Sequence, residues 1–407
     1  MKTRTFVSLA LAALLSPLAM AAAADKFTIT ATQDLAIARP AETIALPWTE
    51  VAKAMPGAQV QHILVKDAAG NVLPFQVINL FPEMHDPQNK GVAYGDLLFQ
   101  HDFAAGEKSA TFTVERITTI TPVFPTKVFA RYVPERLDDF AWENDKIAHR
   151  TYGPALAAPD EPKRGKEVLI TSGLDIWSKR VTYPIVDRWY NKGHDHYHKD
   201  EGEGIDMYNV GTSQGCGGTG VWAGGKLYVG RNYKTWKVLA NGPVRAIFEL
   251  GYDAWDANGA KVSELKRFTV DAGHNLDMIE STFTVEGGAK DIVIGIGINK
   301  DSSDRGQNSK STVTKDEAAG WFTQWEAQQT NGGLGEGVIV PTAFAGFAED
   351  SVNQLVLAKA TSGQPVRYYV GAGWTKAGDF SSKEDWAAYV AAETQRVKSP
   401  VKVTVAP

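Results

Sequence analysis

The chain has 407 residues with a net charge of −5, 38 glycines, 11 tryptophans and one cysteine, Cys216. A mildly acidic chain without basic runs speaks against a nucleic-acid or anionic-membrane partner, and a lone cysteine excludes an intramolecular disulfide. Stability must therefore come from buried cores, and this length is enough for two of them.

Residues 1–24 read as a secretory signal peptide. Lys2 and Arg4 form a charged start, Phe6 to Leu15 an apolar run, and Ala22-Ala23-Ala24 a small-residue exit. The apolar run is too short to span a bilayer. The expected product is an exported, periplasmic chain without a membrane segment, and losing Lys2 and Arg4 takes its charge from −5 to −7.

Residues 25–125 predict an N-terminal β-sandwich of short strands. Phe27 to Thr32 alternates apolar with polar residues, and Val60 to Val65, a turn at Asp67 to Asn71 and Val72 to Ile78 read as a hairpin. Around Trp48 to Ala54 lies a short helical pattern. From residue 126 onward the texture changes. Residues 139–154 are dense in charge and read as a helical or turn arrangement, in which Glu143 would meet Lys146 and Asp145 would meet His149. From Val221 come long regular strands, up to Ile298, which predict a large antiparallel two-sheet sandwich over 126–407. A C-terminal helix follows. Ser381-Ser382-Lys383-Glu384 resembles a capping box, and Trp386, Tyr389, Val390 and Val397 share one face.

The densest chemistry lies in Asp187 to Tyr208, where His194, His196 and His198 fall within five residues among carboxylates and aromatics. Burying such groups unpaired is costly, so the segment is either solvated or a site. On a strand the three histidines would share a face and supply a three-imidazole metal site. A divalent metal is thus the one cofactor the pattern admits, and none is required; a glycine-flanked polar loop is the alternative. Arg150, between Trp142 and Tyr152, has the planar fork that grips a carboxylate, and Arg188-Trp189-Tyr190 repeats that trio of groups. Gly211 to Gly220 is glycine-rich without the Gly-Lys-Ser/Thr ending of a phosphate loop. It suits close backbone approach, with Cys216 a weak nucleophile candidate. Trp321, Trp325, Glu326, Glu336 and Trp374 are candidates for the far wall of a cleft, although each residue type is more often packing.

Asp139-Phe-Ala-Trp-Glu-Asn-Asp145, His149-Arg-Thr-Tyr-Gly-Pro154, Ser172-Gly-Leu-Asp-Ile-Trp177, Tyr197-His-Lys-Asp-Glu-Gly-Glu-Gly204 and Gly215-Cys-Gly-Gly218 resemble motifs of a bacterial family of exported proteins. That family is known as a domain of unknown function, frequently encoded near genes for the breakdown of pectin and other uronic-acid polysaccharides. Asn241-Gly-Pro-Val-Arg245, Glu264 to Val270 and Met278 to Thr284 are similar to strands of the galactose-mutarotase-like supersandwich, a fold of sugar epimerases and several polysaccharide lyases. The resemblance implies a carbohydrate ligand more than it implies a reaction.

The expected function is the processing of acidic plant-wall oligosaccharides by β-elimination. An arginine or metal would neutralise the uronate, a histidine or tyrosine would take the proton, and a tyrosine would protonate the leaving oxygen. The catalytic candidates are His149, His198, Tyr190, Tyr208 and Glu203. Binding candidates are Trp142, Glu143, Arg150, Tyr152, Arg188, Trp189 and Asp206. Hydrolysis by a carboxylate pair drawn from Glu143, Glu203 and Asp206, or sugar binding without chemistry, are the alternatives. All versions need residues 187–208 to fold against the Trp142–Tyr152 stretch around one hollow.

Overall fold

The computed structural model describes residues 25–80, 95–157, 169–302, 310–328 and 330–406, so the signal-peptide expectation lies outside it. The chain is mostly β, in several antiparallel sheets with a C-terminal helix. Among the described residues no helix is long and apolar enough to cross a membrane.

Two sheets form the N-terminal sandwich. One carries Lys402–Ala406, Lys26–Thr32, Ser109–Arg116 and Ile63–Lys66 in that order, and the other Arg39–Pro47, Asp96–Phe103 and Phe75–Val77. The alternation of Phe27, Ile29 and Ala31 puts these three inside, against Ile44, Phe99 and Phe112. Helix Trp48–Ala54 closes the core with Trp48 and Val51. Two expectations need correction. Residues 60–78 turn tightly, with the Asp67 carboxylate accepting from the Ala69 and Asn71 amides, but only one bridge, Lys66 to Val72, follows. Pro74 has no amide hydrogen to continue a ladder, and the next strand joins the other sheet. The last strand also belongs here, pairing with Lys26–Thr32, so the second unit ends before residue 402.

The larger unit stacks an eight-stranded sheet against two five-stranded ones. Its central strands are Arg245–Ala257, Ala260–Asp271, Leu276–Glu286, Pro365–Trp374, Gly332–Ile339 and Trp321–Gln328. One five-stranded sheet runs Gly204–Ile205, Leu174–Lys179, Ile147–Thr151, Asp139–Glu143, Phe129–Val133; the other includes Cys216–Ala223, Asp291–Asn299 and Asn353–Thr361. One core joins all three, with Phe140 and Trp142 packed on Phe248 and Phe268.

Residues 139–151 are therefore a hairpin and not a helix, with Trp142 opposite His149. Both strands are buried on both faces, which leaves no polar side for a surface helix. The Asn144 side chain makes the turn by accepting from the Lys146 and Ile147 amides.

Helix Lys383–Lys398 starts as expected, its Ser382 hydroxyl accepting from the Asp385 amide. Trp386 lies on the outer face of the eight-stranded sheet. A Cβ at Gly335 would stand 2.5 Å from its ring and one at Gly373 2.8 Å, so glycine is what lets the indole reach the sheet backbone.

Candidate active site: two polar centres

Alternation along Asp139–Glu143 and Ile147–Thr151 sends side chains to opposite faces of their sheet. Asp139, Glu143 and Arg150 face outward, whereas Trp142 and His149 face the sandwich interior. Two polar centres result, one on each side.

The outer centre lies under residues 181–208. That stretch is a helix, Val186–Lys192, then a single helical turn, His194–Tyr197, and the short strand Gly204–Ile205. It does fold over the Trp142–Tyr152 hairpin. Arg150 is its hub: Nε donates to Asp175 at 2.7 Å, Nη2 to Asp206 at 3.0 Å, and the guanidinium lies over the rings of Tyr152, Trp177 and Tyr197. Tyr152 donates to Asp175 and Tyr190 to Asp139. Burial pushes the Asp139 carboxyl up to about 6 against the pull of Arg150. Glu143 pairs with the fully buried Lys179 at 2.7 Å and accepts from the Ile185 and Val186 amides, so it seats the helix start. Glu203 accepts from Tyr183, Arg188 and Trp189. Burial would raise its carboxyl, but Arg188, the Tyr183 bond and the nearby Lys192 charge hold it low.

Among the described residues, the cavity beside Trp189 and Tyr197 holds only about 10 Å³, too little for a sugar ring. The residues expected to grip a uronate grip one another. The polar groups of Glu143, Arg150, Tyr152, Trp189, Tyr190 and Glu203 are paired inside the protein, which speaks against the binding and catalytic roles expected of them, whereas Arg188 holds Glu203 side-on and stays exposed. Asp206 likewise serves Arg150.

The histidine triplet sits on a helical turn, so its members do not share a face. His194 and His198 meet edge to face one turn apart at 4.6 Å, while His196 leans the other way on Glu201 at 3.0 Å. His194 and His196 are exposed. Among the described residues no group of three His, Cys, Asp or Glu side chains is arranged to hold a metal ion. His198 donates from Nδ1 to the Asp206 carbonyl, and burial lowers its pKa, keeping the ring neutral with Nε2 as an acceptor.

The inner centre lies between the sheets. Antiparallel register sets Gln324 directly across from Glu336, and Glu326 and Gln328 follow on the same face. Glu326 accepts from the Ser302 amide at 3.1 Å, the Ser302 hydroxyl at 2.7 Å and the Gln324 amide at 3.1 Å. The same Ser302 hydroxyl stands 3.5 Å from Glu336, so one oxygen bridges two buried carboxyls. No ion pair reaches either carboxyl among the described residues. Burial raises Glu326, and burial together with the neighbouring Glu326 charge raises Glu336 well above the carboxylate range. Glu336 Oε2, Gln324 Oε1, Gln328 Nε2 and Tyr208 Oη are buried without a hydrogen-bond partner among the described residues. Such groups are rare in native proteins and call for an explanation.

The line of buried titratable groups continues past Cys216 to Asp277 and His149. Asp277 accepts from Trp142 Nε1 at 2.7 Å, and its carboxyl is pushed by burial up to about 7. His149 donates from Nδ1 to the Asp175 carbonyl and turns Nε2 to within 3.7 Å of Asp277, burial holding the ring down at about 4. Burial also raises the Cys216 thiol far above its usual value, which removes it as a nucleophile. The glycines around Cys216 do provide close approach: a Cβ at Gly215 would lie 2.0 Å from the Leu174 carbonyl oxygen.

Of the expected site residues, Tyr208, His149 and Trp142 thus belong to the inner centre, and the others to the outer one. Gln324, Gln328 and Ser302 went unmarked in the sequence. Glu326 and Glu336 were marked only as a far wall beside Trp321 and Trp325, which face outward toward the C-terminal helix. The signal was period-two spacing: Gln324, Glu326 and Gln328 alternate with Trp325 and Ala327 on a strand whose inner face should be apolar.

Residues 31–403 match the family described as "Domain of unknown function (DUF4861)". A curated relative, "Uncharacterized protein P7" of Formosa agariphila, is 28% identical over 386 residues, covering 93% of each chain. Among solved structures, an alpha-mannosidase from Enterococcus faecalis V583 and a protein in the glycosyl hydrolase family 38 from Enterococcus faecalis are similar, each with a TM-score of 0.43 and 10% identity. Both cover 94% of this chain, which spans 46% and 48% of their own length.

Proposed function

Because this chain belongs to the DUF4861 family, which is defined without a reaction, we propose its function from its own residues: acid–base processing of an acidic oligosaccharide at the inner centre, after export. The observation that carries the reading is the asymmetry of the Glu326–Glu336 pair. Three donors converge on Glu326 and offset its burial, while Glu336 has one oxygen without a hydrogen-bond partner among the described residues, and burial beside Glu326 favours its protonated form. Neighbouring carboxyls whose surroundings push them apart are how one site holds an acid and a base together at neutral pH.

Both carboxyls are wholly buried, so this reading requires an opening between the sheets; through it Glu336 is the proton donor to a glycosidic oxygen and Glu326 the base or nucleophile opposite it, as in hydrolysis by a carboxylate pair. The unpartnered Gln324 and Gln328 groups supply the acceptor and donor that sugar hydroxyls or a uronate carboxylate require. The acidic character of the substrate is carried only by the resemblance of the sequence motifs to exported proteins encoded near genes for uronic-acid polysaccharide breakdown. Tyr208 favours a second reading: its hydroxyl, kept protonated by burial, stands at the same centre and suits the proton transfers of β-elimination.

Incubation with a panel of uronate oligosaccharides, read by mass spectrometry and ultraviolet absorbance, separates the two. Products that gain one water indicate hydrolysis. Products whose masses add up to the substrate, with absorbance from a new double bond, indicate elimination. Substrate recovered unchanged across the panel would end both.

A further inference from the structure

The outer face of the eight-stranded sheet carries a polar surface unrelated to either centre. Its register sets Glu249 beside Arg267, Arg267 beside Glu280 and Glu280 beside Arg367, so a row of alternating charge crosses four strands. The adjacent row runs through Thr269, Met278 and Tyr369. Over that row the N-terminal sandwich and the C-terminal helix leave a cleft of about 260 Å³, lined on one side by Arg39 and Glu42 and on the other by Glu393 and Arg396. Arg367, Tyr369 and Val397 also line an open groove of about 610 Å³, so the two cavities adjoin.

The charges in this cleft are matched within the protein. Arg245 donates through Nε and Nη2 to Asp271, Arg367 through the same edge to Glu280, and Arg396 pairs with Glu393. Arg245, held side-on, keeps its Nη1 corner for another acceptor, and the carboxylate partners keep lone pairs for another donor, whereas Arg39 and Arg396 are also spent on backbone carbonyls. A small anion would meet Glu42, Glu280 and Glu393 beside those arginines, and a metal cation would meet the arginines, so neither charge is favoured alone. A ring with hydroxyls on its rim and an apolar face fits both parts of the surface: hydroxyls on the ion pairs, ring on Tyr369 and Met278. We infer that this cleft and groove bind a saccharide chain, on residues separate from those of the inner centre and independently of the reaction proposed there.

Titration calorimetry with tri-galacturonate and with a neutral galactose trisaccharide tests this on Glu336→Gln protein, with and without Tyr369→Ala or Arg367→Gln. Both cleft side chains are partly exposed, and a thermal melt within a few degrees of the parent identifies a folded variant. At least one saccharide should bind the Glu336→Gln protein, and each cleft substitution should weaken it ten-fold or more. Unchanged affinity in both cleft variants, or no binding of either saccharide, overturns the inference. Turnover is read separately on unsubstituted protein, so the proposed reaction and the proposed cleft fail by different measurements.

Discussion

The outer and inner centres are built from the same residue types, and they differ in compensation. Around Arg150 three aspartates face a guanidinium, Glu143 faces Lys179, and Glu203 faces Arg188 and Lys192. Around Glu336 no ion pair forms among the described residues, and four buried polar atoms lack partners there, against Asp139 Oδ1 and Trp177 Nε1 in the outer centre. A charge-matched cluster holds a helical cap onto a sheet. An unmatched one costs stability and persists only where the surrounding fold enforces it, which is the mark of a site kept for another molecule.

That contrast breaks most forcefully at its hub. Arg150→Met should destabilise by about 3–5 kcal/mol, because it leaves three buried carboxylates facing one another. Denaturant unfolding measures this, and a loss below about 1 kcal/mol would mean the outer centre is not what holds the cap. Glu143→Gln comes next at about 2–4 kcal/mol, since Lys179 is left buried without a counter-charge; limited proteolysis within 181–208 should speed up in parallel. Glu336→Gln probes the opposite expectation. Turnover on the responsive oligosaccharide should fall at least about 100-fold while the melting temperature holds or rises, because a donor-free acid is replaced by a neutral amide. An equal loss of stability and activity would make Glu336 a packing residue.

Asp277→Asn sharpens the comparison through pH. With its carboxyl at about 7 in the native chain and near 3.9 when unfolded, Asp277 holds a proton in the native state across that window that the unfolded state lacks. Its contribution to stability is therefore fully present below the unfolded value and lost as pH rises toward 7. His149, held at about 4 against an unfolded value near 6.5, acts in the opposite direction and loses stability as pH falls through its window. Asp277→Asn should gain about 1–2 kcal/mol at pH 8 and nothing at pH 4. A melting temperature against pH as steep as that of the parent would rule this out. Smallest of all, His194→Ala and His196→Ala should stay within about 0.5 kcal/mol of the parent, as exposed surface substitutions do.

Much of the fold was legible because it is local. Alternation in Phe27 to Thr32 and along the strands from Arg245 to Asn299 reports which face is buried, and the Ser382 cap reports where a helix begins; each needs only neighbours in sequence. The packing of residues 187–208 against the 139–151 hairpin was also anticipated. What it packs with was not, because Arg150 meets Asp175 and Asp206 only after three strands and two helices are in place.

The sequence alone determined the class of fold, the capped helix and the collection of groups able to do acid–base chemistry. The tertiary structure decided which of those groups are spent. A side chain's residue type states what it can donate or accept, whereas its remaining capacity depends on partners tens to hundreds of residues away. Glu143 and Glu203 found cationic partners; among the described residues Glu336 found none, and no spacing within the chain distinguishes the three.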